Sequence, residues 1–373
     1  MSSLFCILLV ILLVSACLEA FHVTETLGRN DYVAEISGLD LETINDAEFD
    51  EVHQLLVQYK VLVVRNQKNF SVEGQRSFAH RFGKLHVHLE SASHLPGYED
   101  VNVVSNMVVN GSHIGLFGKH VEAFHADLSW NYLPAKVTIL RSVIRPDSCG
   151  DTEFANTHQA YDELPEEVKR TLAGKKGNYC YLKMREIDEN GNAENLKDRE
   201  LEAANKCAVH PLVTSHPITG QKNLFANPSD TSFVLNMTAS ESNNLLQELF
   251  RHTENPRYNY RHQYRDDDVV LWDNRGESHP APLISLTSFL TLSHSLFTTT
   301  AVHHRATGCP DHVPRKLIRV TVSDEDAPRE HVFPRAPLAQ SRQTQDRPAA
   351  ALRSSFVAVN LLTAVTSSSP LSR

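Results

Sequence analysis

The chain has 373 residues, enough for one large domain or two ordinary ones, and its 41% hydrophobic and 22% charged residues are a globular composition. A net charge of −9 without any lysine or arginine block argues against a nucleic-acid partner. Six cysteines without a CxxC pair argue against a zinc ribbon or a disulfide framework, so Cys149, Cys180, Cys207 and Cys309 are expected to be free or buried thiols.

Leu4 to Cys17 form an almost unbroken apolar run, too short for a comfortable transmembrane helix and as long as a signal-peptide core. Residues 1–20 are therefore expected to be a signal-like segment, although the usual basic start is missing. An uncleaved anchor is the alternative, and would supply a membrane partner. Three Asn-x-Ser/Thr sequons, at Asn69, Asn110 and Asn236, fit secretion.

From Phe21 the texture is α+β. Asp46 to Tyr59 reads as an amphipathic helix with Phe49, Val52, Leu55, Leu56 and Tyr59 on one face, running into a buried strand, Lys60 to Arg65. Ser71 to Phe82 reads as a second helix, with Ser71 as its cap and Gly83 as its stop. Val101 to Val109 is strand-like, 110–122 a loop, and Val137 to Ile144 another strand. The turn from Cys149 to Thr152 enters a further strand, Thr157 to Leu172 is expected to be one helical stretch, and Ser240 to His252 a helix burying Leu245, Leu246, Leu249 and Phe250. An acidic turn, Asp266 to Asp268, leads into the strand Val269 to Trp272. Many short strands with few helices outside them suggest a jelly-roll barrel. The composition of residues 323–373, rich in Pro, Ser, Arg and Ala, suggests a disordered tail.

Within this frame, His125 and Asp127 stand two residues apart. On an extended strand both would point to one side and could reach one metal ion. With a distal histidine they would form the two-imidazole, one-carboxylate face of a non-haem iron site, leaving the opposite positions for a co-substrate and O2.

The ordered set His125-x-Asp127, Gly150-Asp151-Thr152, His210-Pro211 with His216-Pro217-x-Thr219-Gly220, and Trp272-Asp273-Asn274-Arg275 closely resembles the taurine dioxygenase (TauD/TfdA-like) family from about Thr24 to Thr321. These are Fe(II)- and 2-oxoglutarate-dependent oxygenases. The resemblance implies an α+β fold with a distorted double-stranded β-helix (jelly-roll) core and flanking helices over residues 21–322. It implies iron held by His125, Asp127 and a histidine seven residues after the tryptophan of the WDNR motif. It also implies 2-oxoglutarate bound with help from Thr152, and turnover with O2 that releases succinate and CO2. An arginine suits the far carboxylate of the keto acid, because its planar fork makes two parallel hydrogen bonds.

The distal histidine is where the sequence departs from the family pattern. His279 has the spacing from Trp272, yet lacks the Arg-Ala that follows in the family. His304-Arg305-Ala306 has it, with Arg315 and Arg319 eleven and fifteen residues on. Removing residues 276–300 would place His304 seven residues after Trp272. Both ends of that segment can be encoded as splice-site-like sequences, and its Ser/Thr/Leu/Phe-rich interior reads like a translated pyrimidine-rich intron end. It is expected to be an insertion or a retained in-frame intron, with a lineage-specific loop as the alternative; transcript sequencing across the junction decides. For the chain as given, His304 is the expected ligand and His279 the alternative.

Arg315 is assigned to the far carboxylate of 2-oxoglutarate, and Arg319 to an anionic group of the substrate or to the keto acid as well. His88 and Phe225 match substrate-contacting positions of the taurine enzyme, whereas Ser91 and Val121 depart from it, which puts taurine itself in doubt. Asp273 and Arg275 are expected to support the metal ligands from behind or to be structural. The expected activity is oxidation of a small, anionic organic substrate, taurine- or sulfonate-like, by a chain that could form a homo-oligomer. Two other readings are a pseudoenzyme or small-molecule binding protein whose distal ligand the insertion has disrupted, and a zinc hydrolase, which gives Thr152 and Arg315 no role. The signal-like segment points to the secretory pathway, whereas Fe(II) and 2-oxoglutarate point to the cell interior.

Overall fold

The computed structural model describes residues 21–117, 123–181, 207–275, 302–310 and 312–323. The signal-like segment, Val121, residues 276–300 with His279, and 324–373 lie outside these described residues. The strands of the first half are β1 (His22–Leu27), β2 (Val33–Ser37), β3 (Val61–Val64), β4 (His94–Leu95), β5 (Tyr98–Ser105), β6 (Val108–Val109), β7 (Ser112–His113), β8 (Leu116–Phe117) and β9 (Ala135–Ile144). Next come β10 (Thr152–Asn156), β11 (Lys176–Cys180), β12 (Cys207–Pro211), β13 (Val213–Ser215), β14 (Lys222–Leu224) and β15 (Thr231–Val234). The last are β16 (Asn259–His262), β17 (Val269–Asp273), β18 (Val302–Ala306) and β19 (Lys316–Ser323). The α-helices are α1 (Asp46–Tyr59), α2 (Val72–His80), α3 (Thr157–Asp162), α4 (Glu166–Leu172) and α5 (Ala239–Thr253).

Alternation along each strand decides the layers. Nine strands form the main sheet in the order β1-β2-β3-β17-β9-β19-β5-β4, with β8 beside β5. On β17, Val269 and Leu271 point to one side, into a core with Phe49, Val52 and Leu56 of α1 and Phe78 of α2. Val270 and Trp272 point to the other, where they meet Phe154 of β10 and Val302 of β18. Those two residues come from a second sheet, β16-β10-β18. Two sheets thus close on a shared interior while helices cover the outside, the jelly-roll arrangement. Asn45 closes a capping box with Glu48 at the start of α1, as Thr238 does with Glu241 at α5, and Ser71 caps α2. Among the described residues no helix is long and apolar enough to cross a membrane.

Three expectations need correction. His125 and Asp127 do not share a strand: His125 makes an isolated bridge to His304, and the chain then turns at Asp127, with Leu128 in the left-handed region at φ 58°. The helical stretch 157–172 is broken into α3 and α4 at Leu164, because Pro165 lacks an amide hydrogen and pushes its predecessor out of the helical region. The four described cysteines are not thiols; they form the disulfides Cys149–Cys309 and Cys180–Cys207. The second follows from the strand pairing that sets Cys180 opposite Cys207. The first joins residues 160 apart in sequence, a proximity only the closed barrel creates.

The helix-side core also predicts an acid limb of stability. His53 lies against the rings of Phe49 and Phe82, and burial, aided by the charges of Arg275 and Lys136, pushes its pKa down to about 4. The unfolded chain protonates this histidine near its ordinary value and the folded chain does not. Its contribution is therefore complete above about pH 6.5 and is lost as the pH falls towards 4, on the order of 2–3 kcal/mol. Urea unfolding between pH 7 and 4 is expected to show this fall, and His53→Leu to flatten it.

Candidate active site

The second sheet and the bridge bring the candidate residues together. On β18, His304 sits opposite Phe154 of β10 and packs its ring 4.5 Å from that of Trp272, centroid to centroid. The His125 and His304 backbones exchange two hydrogen bonds, each amide donating to the other carbonyl at 3.0 and 2.9 Å. That exchange fixes the two imidazole rings 4.3 Å apart. The turn that follows delivers the Asp127 carboxylate, with Oδ1 3.9 Å from His125 Nε2 and Oδ2 3.5 Å from His304 Nε2.

Among the described residues, His125, Asp127 and His304 form a cluster able to hold a metal ion: all three are buried and their donor atoms lie within 4.8 Å of one another. His125 Nδ1 donates to the Ala123 carbonyl at 3.0 Å, which leaves Nε2 with its lone pair for the metal. Burial pushes the His304 pKa well below the ordinary range, so this ring is neutral. Burial alone would raise the Asp127 pKa, but His304, Arg319, His125 and the Thr138 hydroxyl outweigh it and hold the carboxyl ionised. Two imidazoles and one carboxylate on one face suit Fe(II), so the residues fit the metal.

Sequence reasoning missed what holds Asp127. The Thr138 hydroxyl of β9 donates to Asp127 Oδ2 at 2.5 Å. Asn274 accepts from the Asp127 amide at 3.2 Å and from the Trp272 indole at 3.2 Å, and donates to Thr138 at 3.0 Å. The asparagine was visible as part of the WDNR run, but Asp127 and Thr138, which it joins, come from two other places in the chain. Thr138→Val keeps the shape and removes the donor, so iron affinity is expected to fall about 10- to 100-fold, the usual cost of losing such a partner; titration of the apoprotein with Fe(II) measures it. Asp273 is bonded to the Arg275 side chain at 3.0 Å and to His216 at 3.3 Å.

Strand β19 and the residue just before it supply the cations. Leu317 shares the interior core with Trp272, while Ile318, Val320 and Val322 face the helices. Period two then puts Arg319 and Thr321 on the barrel side with Leu317, while Arg315 immediately precedes the strand. Arg319 Nη1 lies 3.3 Å from Asp127 Oδ1. Arg315, 1% exposed, borders a small cavity with Cys149, Gly150 and Tyr264. Thr152 is joined to that wall by a 2.8 Å bond between its hydroxyl and that of Tyr264. The pocket over the metal cluster is lined by His88, Glu90, Trp130, Tyr181, Asp230 and Arg319. His88 reaches it as expected, with Nε2 3.1 Å from Thr321 Oγ1. Phe225 does not line it; it is buried among Ala126 and Tyr179. Tyr264, Glu90 and Asp230 carried no sequence signal.

Residues 21–281 match the family described as Taurine catabolism dioxygenase TauD, TfdA. The alpha-ketoglutarate-dependent 2,4-dichlorophenoxyacetate dioxygenase of Burkholderia sp. (strain RASC) is 30% identical over 262 residues, covering 66% of this chain and 85% of that protein. The alpha-ketoglutarate-dependent sulfonate dioxygenase of Saccharomyces cerevisiae (strain ATCC 204508 / S288c) is 29% identical over 253 residues, covering 66% of this chain and 60% of that protein. Among solved structures, that of AAD-2 in complex with Mn(II) and N-oxalylglycine superposes with a TM-score of 0.61 and 25% identity, over 82% of this chain and 97% of that one. With the fold, the metal cluster and the family match in agreement, the chain belongs to the TauD/TfdA family of alpha-ketoglutarate (2-oxoglutarate)-dependent, non-haem iron dioxygenases.

Proposed function

We propose that this dioxygenase oxidises a small organic substrate carrying one anionic group, with 2-oxoglutarate and O2 as co-substrates and succinate and CO2 as products. The observation that carries the reading is Arg319 of β19 touching the His125/Asp127/His304 cluster, with the buried Arg315 just before the same strand. Bound at that cluster, iron supplies the oxidising chemistry for a substrate C–H bond. The chain's own residues do the placing. Arg315 and Thr152 hold the far carboxylate of the keto acid, and His304, His125 and Asp127 hold the metal. Arg319 and His88 anchor the substrate's anion at the edge of the pocket. Glu90 and Asp230, on the same pocket wall, repel a second anion, so the remainder of the substrate is neutral or cationic. The named relatives fit: 2,4-dichlorophenoxyacetate and sulfonates each carry an acid group.

Two disulfides support maturation in an oxidising compartment, in line with the signal-like segment. The asparagines of the three sequons, Asn69, Asn110 and Asn236, are exposed, as glycan acceptors need to be. The test of function is anaerobic visible absorption with Fe(II) and 2-oxoglutarate, followed by succinate release across a panel of sulfonates, sulfates and carboxylates, using the full chain and one lacking residues 276–300. A charge-transfer band and succinate released with an acid from the panel are expected. No band in either form sinks the reading.

A further inference from the structure

The Cys149–Cys309 disulfide lies against the co-substrate arginine and not in a remote loop. Gly150, next to Cys149, adopts φ +77°, and its bare Cα faces the Arg315 side chain so closely that a Cβ there would stand 2.5 Å from Cδ and 2.7 Å from Nε. The same Cβ would stand 3.0 Å from Cys309 Sγ, so the disulfide and the arginine stem share one contact surface. Cys149, Gly150 and Arg315 also border one cavity together with Tyr264, the residue bonded to Thr152.

The backbone around the disulfide is tied to the same arginine. The Gly150 amide donates to the Gly308 carbonyl at 3.0 Å, and the Thr307 amide to the Asp151 carbonyl at 3.0 Å, which joins the two disulfide-bearing turns. Asn106 accepts from the Arg315 amide at 2.9 Å and donates to the carbonyls of Pro310 and Val313, each at 2.9 Å, so the segment from Cys309 to Arg315 is pinned at both ends. The disulfide is the covalent member of this set. Cys309 is 2% exposed and Cys149 half-buried, so the bond can be reached from the Cys149 side.

We propose that the Cys149–Cys309 disulfide positions Arg315 for 2-oxoglutarate, making co-substrate affinity sensitive to the redox state of this one bond. The proposal rests on the assignment of Arg315 to the far carboxylate. A fork that must meet a carboxylate with two parallel hydrogen bonds tolerates little displacement. When the S–S bond opens, Cys149 and Gly150 are freed from Cys309, and the surface that holds the arginine stem loosens. The iron ligands are anchored elsewhere, through the His125–His304 bridge and the Thr138–Asn274 pair, so kcat at saturating 2-oxoglutarate is preserved.

The test uses the full, iron-loaded chain, with co-substrate binding followed by calorimetry without O2, and KM and kcat by succinate release. Wild-type protein is compared before and after a phosphine reductant and after reoxidation with oxidised glutathione. In the reduction two electrons enter the S–S bond, two protons complete the thiols, and the phosphine leaves as its oxide with an oxygen from water. Glutathione disulfide reverses this by exchange, leaving as two reduced glutathione molecules. Cys149→Ser with Cys309→Ser mimics the opened bond, and Cys180→Ser with Cys207→Ser is the control for a disulfide away from Arg315. For 2-oxoglutarate, the dissociation constant and the KM are both expected to rise roughly tenfold on reduction and in the first variant, with kcat within about twofold. Reoxidation should restore both values fully, and the control should leave the co-substrate KM unchanged. If the first variant fails to fold, the wild-type reduction series decides alone. Binding that ignores the disulfide, or a loss of kcat at constant KM, overturns the positioning role. Absence of any 2-oxoglutarate binding by the oxidised protein overturns the Arg315 assignment, and the positioning role with it.

Discussion

His304→Ala is expected to remove stoichiometric Fe(II) binding and to lower 2-oxoglutarate turnover by at least about 1,000-fold, about 4 kcal/mol at 1.36 kcal/mol per decade. The reason is geometric. His304 is one of three buried donors within 4.8 Å of one another, and its ring is fixed by the backbone bridge to His125 and by packing on Trp272. Two remaining ligands do not make a closed facial site, and the ionised Asp127 loses one of its compensating groups. The companion substitution His279→Ala is expected to leave both iron stoichiometry and turnover within about twofold, since the three-ligand face is already complete without it. Iron content by a colorimetric chelator and succinate release by mass spectrometry measure the pair. The opposite pattern, with His279 indispensable and His304 silent, would move the metal to the other histidine.

Arg315→Leu is expected to raise the KM for 2-oxoglutarate by at least about 30-fold while iron binding stays intact. Losing one partner of a buried, hydrogen-bonded charge pair costs about 2–5 kcal/mol, and about 1.4 kcal/mol corresponds to a factor of ten. Arg315→Lys is expected to recover only part of this, because an ammonium keeps the charge and loses the planar fork. Arg319→Leu should act on the other ligand, raising the KM for the organic acid far more than the KM for the keto acid. Steady-state titration of each co-substrate against the other separates the two arginines, and identical effects from both would show that they share one carboxylate.

The fold was legible wherever periodicity was strong. The bounds of α1 and the buried strand after it follow from apolar spacing alone, and the α5 face of Leu245, Leu246, Leu249 and Phe250 is buried as expected. The cluster was legible through order and spacing: His125, Asp127 and the WDNR motif pointed to one centre, and the Arg-Ala after His304 singled out the histidine that the barrel brings to it. Properties that depend on neighbours in space were not legible. Thr138 looks like any inward threonine of a strand until Asp127 is placed above it. The His-x-Asp alternation suggested a strand, whereas a turn with a left-handed Leu128 delivers the carboxylate. Cysteine spacing hid both disulfides, because the partners meet only after strand pairing or barrel closure.

The inward face of β19 acts as a ruler. Arg315 stands immediately before β19 and Arg319 four residues on within it, so their Cα atoms are at most about 13 Å apart at about 3.3 Å per residue. On the proposed assignment of Arg315 to the keto acid and Arg319 to the substrate, this backbone spacing sets how far the two anions lie apart. An arginine moved by one residue would leave the barrel face altogether, and one moved by two would shift the anchor by about 7 Å while still pointing inward. On that assignment, the position of the second arginine on this strand is where a change in the size of the accepted molecule would be written.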